Sequence, residues 1–444
     1  MKMKVTKILA TAWLLAIPVA GMLAQQKITL QDAVALAKER NSEVKESVLE
    51  IQRAQELKNI TRSLFLPTVG LTGQINHYFD RNPFFGFGEE DTGDQIPYGR
   101  FGGEDQAFAA ITAVQPIFNP TAGPALAESR LRIDQSEIGL QRSIVETLSS
   151  VKETYLTVLV LNERLKLQRE TIRRNEQVLK NARSLYLQGK ALRVDTLIAY
   201  TSVKNLEPLI LRLQYAIETG ELRLKNLIGL DSAKQIELTD SLFVPGLESF
   251  PTEEQVYQSA RNESPDFRLM ELDEKIASQQ VAIARASRLP ALSAVGQYQL
   301  QTQTNDFNYR NASYPSASYV GLQLAVPLFN GLARQSRIRE ARISHERTAI
   351  HSRDLENKLK ATVHDHVARV TESRERLNTT AGVKETAEIS YDIIQYRYKQ
   401  GISSRLELAE AELELSTAQS NYLEAVYDYF SSQIALDKLM GREE

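Results

Sequence analysis

The sequence predicts a mainly α-helical protein with membrane β-strands, in which one structural unit occurs twice. Three observations predict this fold class. Paired motifs recur at a nearly constant separation, short segments alternate apolar and polar residues, and very long stretches after them contain almost no proline. A fixed internal period indicates duplication, a period of two indicates strands, and long proline-poor stretches indicate helices.

The first 24 residues have the features of a secretory signal peptide. Lys2, Lys4 and Lys7 form a positive segment before the apolar run "ILATAWLLAIPVAGMLA", and cleavage is expected near Ala24. An N-terminal anchor helix is the alternative, which Pro18 and the polar "QQK" disfavour. The chain has no cysteine, so the exported form contains neither disulfides nor a lipid-modified cysteine.

Composition argues against several function classes. Of the 444 residues 25% are charged, and the formal net charge is −3, so no basic face for nucleic acid is expected. After the N-terminus no run of 18 apolar residues predicts a membrane-spanning helix. The sequence shows no phosphate loop, nucleophile pattern or metal cluster, and the spacing of "HDH" (364–366) turns the two rings apart on a helix. We therefore expect no cofactor, no metal site and no enzymatic activity.

Four pairs of matched positions indicate the duplication. They are Pro67 with Pro290, Pro116 with Pro327, Gly189 with Gly401, and Gly229 with Gly441. In the same order the separations are 223, 211, 212 and 212 residues, so the spacing changes once, within a longer loop of the first copy. The predicted domains are a first repeat over 25–232, an inter-repeat segment over 233–251 and a second repeat over 252–444.

Each repeat is expected to hold the same elements in the same order. A helix opens the repeat, and Thr29 with Asp32 and Thr252 with Gln255 have the spacing of helix N-caps. A β-hairpin and long helices follow. The expected bounds are 67–118 and 290–329 for the hairpins, and 121–229 and 332–441 for the long helices.

The strand segments alternate in a way that fits two environments. Apolar side chains lie on one side of the alternation at Val69, Leu71 and Ile75 in the first copy and at Val320, Leu322 and Leu324 in the second. A half-buried sheet of a soluble domain and the wall of a membrane barrel both show such alternation, but the signal peptide, the strand length and the glutamine-rich polar face favour the membrane. Four strands cannot close around water, and open edges are not tolerated in lipid, so several copies are expected to pool their strands.

The loops at 80–106 and 304–318 are rich in Gly, Asn and Asp and are expected to face outward. Their aromatic residues are candidates for a girdle at the membrane interface. These residues are Phe84, Phe85, Phe87, Tyr98, Phe101, Tyr309 and Tyr314. Binding of a glycan or another partner by these loops is the alternative.

The long helices carry more than one apolar stripe. In the last helix, apolar residues recur at intervals of three and four, which is the spacing of a coiled-coil seam. These residues are Leu408, Ala411, Leu415, Ala418, Tyr422, Ala425 and Tyr429. The earlier long helix has a broader apolar pattern around Val151 and Val158, which indicates neighbours on more than one side. An isolated antiparallel pair of helices would leave one apolar stripe exposed to water, whereas a closed cylinder of helices would bury both stripes.

The ordered set of duplicated helix–hairpin–helix–helix units, "PIFN" (116–119), "PLFN" (327–330) and paired glycines resembles the TolC-like outer membrane efflux protein (OEP) family. The resemblance implies a homotrimer with four strands per chain, forming a twelve-stranded β-barrel in the outer membrane above a long periplasmic α-helical barrel. It implies a passive exit duct for small toxic solutes or drugs, in a tripartite efflux pump or a type I secretion system. The implied partners are a periplasmic adaptor (membrane fusion) protein, an inner-membrane RND or ABC transporter, and outer membrane lipid.

Gly189 and Gly401 interrupt helices that would otherwise be continuous. An interior glycine costs a helix about 1 kcal/mol relative to alanine. A left-handed glycine that ends one helix and lets the chain reverse explains both matched positions, and a simple helix kink is the alternative. The resemblance implies that these turns, with Lys190 and Ser403, are the periplasmic tips at which an adaptor docks.

Acidic residues follow each turn. Asp195 follows the first, and Glu407 and Glu410 follow the second on one helical face. The resemblance aligns these three residues and Tyr398 with a periplasmic aperture, where rings of carboxylates attract cations. Ser403 stands where the family has an arginine, so the closing contacts depart from the family pattern. An ordinary solvated acidic face is the alternative.

A second class of function fits part of the same pattern. Long coiled coils also occur in structural or adhesive proteins of the cell envelope. Such a protein would wash off membranes and conduct no ions, and the alternation of Val320, Leu322 and Leu324 argues against it.

Overall fold

The computed structural model describes residues 26–85, 98–242 and 251–443. The predicted signal peptide and the girdle candidate Phe87 lie outside the described residues. The described chain divides into two compact units, one from parts of 1–42, 147–249 and 370–434 and the other from parts of 43–146, 250–369 and 435–444. Each unit takes segments from both predicted repeats, and the division at 233–251 stays a prediction.

Helices make up most of the chain, as the sequence predicts. Within the described ranges the helices are α1 (Leu30–Arg40), α2 (Ser42–Arg62), α3 (Ala122–Leu187), α4 (Arg193–Leu227), α5 (Glu253–Glu263), α6 (Pro265–Ala286), α7 (Ala333–Lys399) and α8 (Arg405–Met440). The strands are β1 (Gln26–Ile28), β2 (Thr68–His77), β3 (Pro83–Phe85), β4 (Tyr98–Arg100), β5 (Asp105–Phe118), β6 (Ile236–Leu238), β7 (Ala291–Thr304) and β8 (Ser316–Ala325). No described helix combines the length and the apolar character that crossing a membrane requires.

The predicted N-caps of the opening helices are present. The amide of Asp32 donates to Thr29 Oγ1 at 3.1 Å, and the Asp32 carboxylate accepts from the Thr29 amide at 3.1 Å. Thr252 and Gln255 make the same reciprocal pair at α5. The two hydrogen bonds satisfy backbone donors that the first turn of a helix leaves free.

The prediction of a single opening helix was wrong, because each opening segment forms two helices. Asn41 separates α1 from α2 with extended backbone, φ −58° and ψ 139°, and its side-chain amide donates to the Leu227 carbonyl at 2.8 Å. Ser264 separates α5 from α6 and precedes Pro265, which disfavours helical backbone in the residue before it. The "SP" dipeptide at 264–265 was therefore a sequence signal for the second break.

Four strands form one antiparallel sheet in the order β2–β5–β7–β8, so β2 and β8 are its edges. The register pairs Gln299 with Ala110 on one side and Ala317 on the other, which places one set of residues on each face. On one face the side chains are mainly amides, hydroxyls and small groups. On the other face the apolar residues Leu71 and Val320 are 75% and 88% exposed in the single chain.

A small hub that the sequence did not predict lies in the first compact unit. Strands β1 and β6 pair in parallel, and Tyr155 of α3 is almost fully buried beside them. The Tyr155 hydroxyl lies 3.0 Å from the Ile28 carbonyl oxygen and 2.8 Å from the Asp240 carboxylate. The same carboxylate accepts from the Leu30 amide at 2.7 Å. Burial and the neighbouring carboxylate raise the pKa of Tyr155, so the phenol stays protonated as a donor.

The coiled-coil seam predicted in α8 is buried. All its members except Tyr422 are 4% exposed or less. Near the second turn, Tyr391 of α7 packs with Leu408, Ala411 and Leu415 of this seam. The seam therefore holds α7 against α8.

Candidate functional site: two tip turns and a buried charge pair

The two glycine turns have the same backbone. Gly189 and Gly401 have φ of +69° and +75°, in the left-handed region. In both turns the amide of the residue after glycine donates to the carbonyl oxygen five residues before it, at 2.9 Å. This is the Schellman arrangement that satisfies carbonyl groups at the end of a helix. The prediction that these glycines end helices is confirmed, and a simple kink is excluded because α4 and α8 begin as new helices.

The residues around the turns differ in exposure. Gly189, Lys190 and Gly401 are exposed, whereas Ser403 is only 8% exposed. Three of these four predicted docking residues therefore lie on the surface of the chain.

Two of the predicted aperture acids act as helix caps. The Asp195 carboxylate accepts from the Leu192 amide at 3.0 Å. The Glu407 carboxylate accepts from the Ser404 amide at 3.3 Å, and the Glu407 amide donates to Ser404 Oγ at 3.2 Å. A carboxylate in the first turn also interacts favourably with the helix dipole. The S-x-x-E spacing at 404–407 is the sequence signal for this capping box, which the sequence analysis missed.

The remaining aperture candidates lie close to these caps. Glu410 is exposed three residues beyond Glu407, on the same face of α8. Tyr398 is half-buried and packs against the cluster of Tyr391 and Leu408. Asp195 lies on α4 and is half-buried.

A buried ion pair, unrecognised in the sequence, joins α3 to α8 near the second turn. The Glu412 side chain is 9% exposed, and its Oε1 accepts from Arg174 Nε at 3.4 Å and from Asn175 Nδ2 at 3.1 Å. The Arg174 guanidinium also lies over the Tyr391 ring, 5.7 Å from its centroid. Burial raises the pKa of Glu412, and the positive charges of Arg174 and Arg405 oppose that shift. Arg174, Glu412 and Tyr391 thus connect three helices.

Buried donors next to this pair lack acceptors among the residues that the structure describes. Ser403 Oγ and the Nε and Nη1 atoms of Arg405 are buried, and no described residue is their hydrogen-bond partner. Ser403 lines a cavity of about 910 Å³ between the ends of α3 and α7, together with Arg173, Tyr398 and Lys399. Arg405 lies two residues after Ser403, the position at which the resemblance leads us to expect an arginine.

The histidines take part in isolated contacts. His364 Nδ1 lies 3.0 Å from the Glu253 carboxylate, and burial lowers the pKa of His366. In the described ranges, no three His, Asp or Glu side chains form a group that could hold a metal ion.

Comparison with known proteins assigns the chain to a family. The family model described as "Outer membrane efflux protein" matches residues 33–230 and 256–442. The chain belongs to the outer membrane efflux protein family. The resemblance inferred from the sequence is confirmed.

Individual relatives of this outer membrane efflux protein are distant. It is 24% identical over 180 residues to the solvent efflux pump outer membrane protein SrpC of Pseudomonas putida, a match that covers 40% of this chain and only 37% of SrpC. It is 20% identical to the outer membrane protein TolC of Vibrio cholerae, over 91% of this chain and 89% of TolC. Its fold is similar to the crystal structure of VceC from Vibrio cholerae, with a TM-score of 0.74, 17% identity and coverage of 93% and 96% of the two chains.

Family membership determines location and broad class. The outer membrane efflux protein lies in the outer membrane, with its long helices as a periplasmic extension. The family is one of outer membrane efflux proteins, which are not enzymes.

Proposed function

We propose that three copies of this chain form a closed channel that serves as the exit duct of a tripartite efflux pump. The observation that carries the proposal is the four-stranded sheet with two unpaired edges, β2 and β8. In lipid, each unpaired backbone group costs several kcal/mol, so both edges need partners. Pairing β8 of one copy with β2 of the next satisfies both edges, and three copies supply twelve strands.

The two faces of the sheet support this orientation. The apolar face, with Val69, Leu322 and Leu324 each more than 60% exposed in the single chain, suits contact with lipid. The amide-rich face suits a water-filled interior. Because SrpC is named as the outer membrane protein of a solvent efflux pump, we propose an inner-membrane RND or ABC transporter and a periplasmic adaptor as the partners of this chain.

The duct proposal has a direct test. The purified protein in detergent is expected to be a trimer and to give defined conductance steps in planar bilayers. A deletion strain is expected to become sensitive to toxic solutes, or to stop secreting a substrate, and the wild-type gene should restore the phenotype. A monomer that washes off membranes and conducts no current would instead support a structural or adhesive envelope protein.

We further propose that the cargo is small and toxic, because SrpC is named as part of a solvent efflux pump. Accumulation of an organic solvent or dye in the deletion strain checks this proposal. Unchanged accumulation together with loss of an exported protein would favour type I secretion.

The repeats are proposed as two copies of one ancestral unit, 25–232 and 252–444. The shared order of helices and strands and the two matching backbone hydrogen bonds at each glycine turn support this proposal.

At the periplasmic end we propose that Asp195, Glu407 and Glu410 form the acidic aperture, with Tyr398 beside them. The support is their position: Asp195 and Glu407 each stand in the first turn after a glycine turn. We propose the exposed turns at Gly189, Lys190 and Gly401, with Ser403 beneath the second, as the adaptor-docking surface.

Neutralising the three acids tests the aperture. The triple variant Asp195→Asn/Glu407→Gln/Glu410→Gln should lower the preference for cations and weaken blockade by polyvalent cations in planar bilayers, because carboxylate rings attract cations. Glu254→Gln is the matched control, since Glu254 is also exposed in the first turn of a helix, far along the chain from the turns. Unchanged selectivity in the triple variant would contradict the assignment.

A further inference from the structure

The amide-rich face of the β-sheet carries no formal charge. The register puts alternate residues of all four strands on this face, and they are Thr68, Gly70, Thr72, Gln74, Asn76, Gln106, Phe108, Ala110, Thr112, Val114, Pro116, Ala291, Ser293, Val295, Gln297, Gln299, Gln301, Gln303, Ala317, Tyr319, Gly321, Gln323 and Ala325. Within these described strands the one carboxylate, Asp105, pairs in register with His77 on the opposite face, where the two side chains lie 2.7 Å apart.

Four glutamines of β7, Gln297, Gln299, Gln301 and Gln303, lie in a row on this face, and we call this row the glutamine track. Gln297 Nε2 donates to Gln299 Oε1 at 3.0 Å, and Gln299 Nε2 donates to Gln301 Oε1 at 3.2 Å. Tyr319 of β8 donates from its hydroxyl to Gln297 Oε1 at 3.0 Å. At the loop end, Gln303 Oε1 accepts from the Gly103 amide at 3.0 Å. Hydrogen bonds between neighbours fix the orientation of these long side chains.

The track leaves hydrogen-bonding capacity unused. A carboxamide has two N–H donors and two acceptor lone pairs, and the contacts along β7 use one donor and one acceptor of Gln299. The remaining groups can both donate and accept. A hydroxyl group also does both, whereas an ion finds no opposite charge on this face.

We propose that the barrel wall binds uncharged polyhydroxylated solutes through this glutamine track, so that the barrel selects by hydrogen bonding and not by charge. The proposal rests on the proposed function, because it requires the amide face to line a closed, water-filled channel. On this proposal the two ends of the duct select solutes differently. The barrel selects through uncharged hydrogen-bonding side chains, and the acidic aperture selects through carboxylates.

Current blockade by a neutral oligosaccharide tests the proposal. Trimers are reconstituted in planar bilayers, and maltohexaose is added to the side of the outer loops. Reversible interruptions of the current are expected. In Gln299→Leu/Gln301→Leu the blocking affinity should fall about tenfold, as the loss of two neutral hydrogen bonds implies. The reversal potential in a KCl gradient should stay unchanged because no charge is altered.

Two further variants keep the test decisive. Gln299→Asn/Gln301→Asn retains the amides and should keep blockade within about threefold of the wild type. Gln299→Val/Gln301→Val, which suits a strand and has no hydrogen-bonding side chain, replaces the leucine variant if that one does not assemble. Conducting channels that maltohexaose does not block, or blocks equally in the leucine or valine variant, would overturn the inference and leave the duct standing. Protein that forms no channel would overturn both.

Discussion

The two glycine turns share their backbone and differ in what surrounds them. Each ends a helix of more than 60 residues, and each is followed six positions later by an acidic helix cap. Eleven residues after Gly189 stands Tyr200, which is 45% exposed, whereas eleven residues after Gly401 stands Glu412, which is 7% exposed. Arg193 and Arg405 occupy matched positions too, and of these two only Arg405 has buried guanidinium atoms without a hydrogen-bond partner among the described residues.

The difference shows that duplication preserves local structure more faithfully than packing. The glycine and the acidic cap act through nearby backbone groups, so the same residues at matched positions form the same turn in both repeats. Burial of Glu412 depends on Arg174, which lies on another helix and 238 positions away in the chain. A buried charge needs such a partner, because the desolvation of a lone ion costs several kcal/mol. The second turn is therefore anchored by an ion pair, whereas the first turn has Tyr200 at the position that matches Glu412.

Breaking the buried pair is expected to have the largest effect. Arg174→Met leaves Glu412 buried beside fewer positive charges and should destabilise the second turn by about 3 kcal/mol. Hydrogen exchange of the amides in 399–412 should then accelerate about 100-fold in the purified protein, and exchange in 188–196 should change much less.

Two variants serve as controls for this prediction. Arg173→Met removes an adjacent arginine that is mostly exposed and pairs only loosely with Glu170, so at most about 1 kcal/mol is expected. Arg174→Met/Glu412→Met removes both charges and should restore most of the lost protection. Equal exchange in Arg173→Met and Arg174→Met would show that the pair does not anchor the turn.

Local patterns were the predictable part of this molecule. The glycine turns, the Thr29 and Thr252 caps and the α8 seam depend on residues a few positions apart, and the structure has all of them. The Asp240 hub and the Glu412 pair join residues far apart in the sequence, and no spacing rule connects them. Of the predicted site residues, the structure gives the helical context of Asp195 and Glu407, while an aperture depends on several chains and stays a prediction.

Substituting alanine for Gly189 or Gly401 tests whether the left-handed backbone conformation costs the same free energy at the two turns. A left-handed non-glycine residue costs about 1–2 kcal/mol, and a Cβ added at Gly189 or Gly401 would meet no atom within 4 Å. Gly189→Ala and Gly401→Ala should therefore lower the free energy of local opening equally, measured by hydrogen exchange on either side of each turn.

Asparagine and a third glycine provide the comparison for the alanine variants. Gly189→Asn and Gly401→Asn should cost less, since asparagine tolerates the left-handed region. Gly229→Ala should cost more, because its Cβ would lie 2.7 Å from Arg40 Cβ and 2.8 Å from the Arg40 carbonyl oxygen. A difference of more than about 1 kcal/mol between the Gly189 and Gly401 alanine variants would contradict equivalent turns.

The N-caps of α4 and α8 differ in one residue, Leu192 in the first and Ser404 in the second. Substitutions at these two positions should therefore change the stability of the two turns in opposite directions. Ser404→Ala removes the hydroxyl that accepts from the Glu407 amide and should cost about 1 kcal/mol. Leu192 occupies the matched position before α4, so Leu192→Ser should add the missing acceptor and stabilise the first turn by roughly 0.5–1 kcal/mol. Exchange of the first amides of α4 and α8 measures both changes. Ser202→Ala, inside α4, is the matched control, and a Leu192→Ser variant with faster exchange would refute the cap argument.

The smallest expected effect is a pH dependence that only the second turn shows. Burial holds the pKa of Glu412 above its ordinary value of 4.5, so the folded state binds the proton more tightly than the unfolded state does. The stabilisation of the folded turn by the protonated Glu412 is complete when the pH is below 4.5. It is lost as the pH rises through the raised pKa of Glu412 in the folded state. Burial raises the pKa of Tyr391 above its usual value of 10.0, so this neighbouring phenol does not titrate between pH 4.5 and pH 7. After correction for intrinsic exchange, opening of 399–412 relative to 188–196 should increase from pH 4.5 to pH 7. Glu412→Gln should abolish the increase, and an increase that persists in this variant would assign the titration to another group.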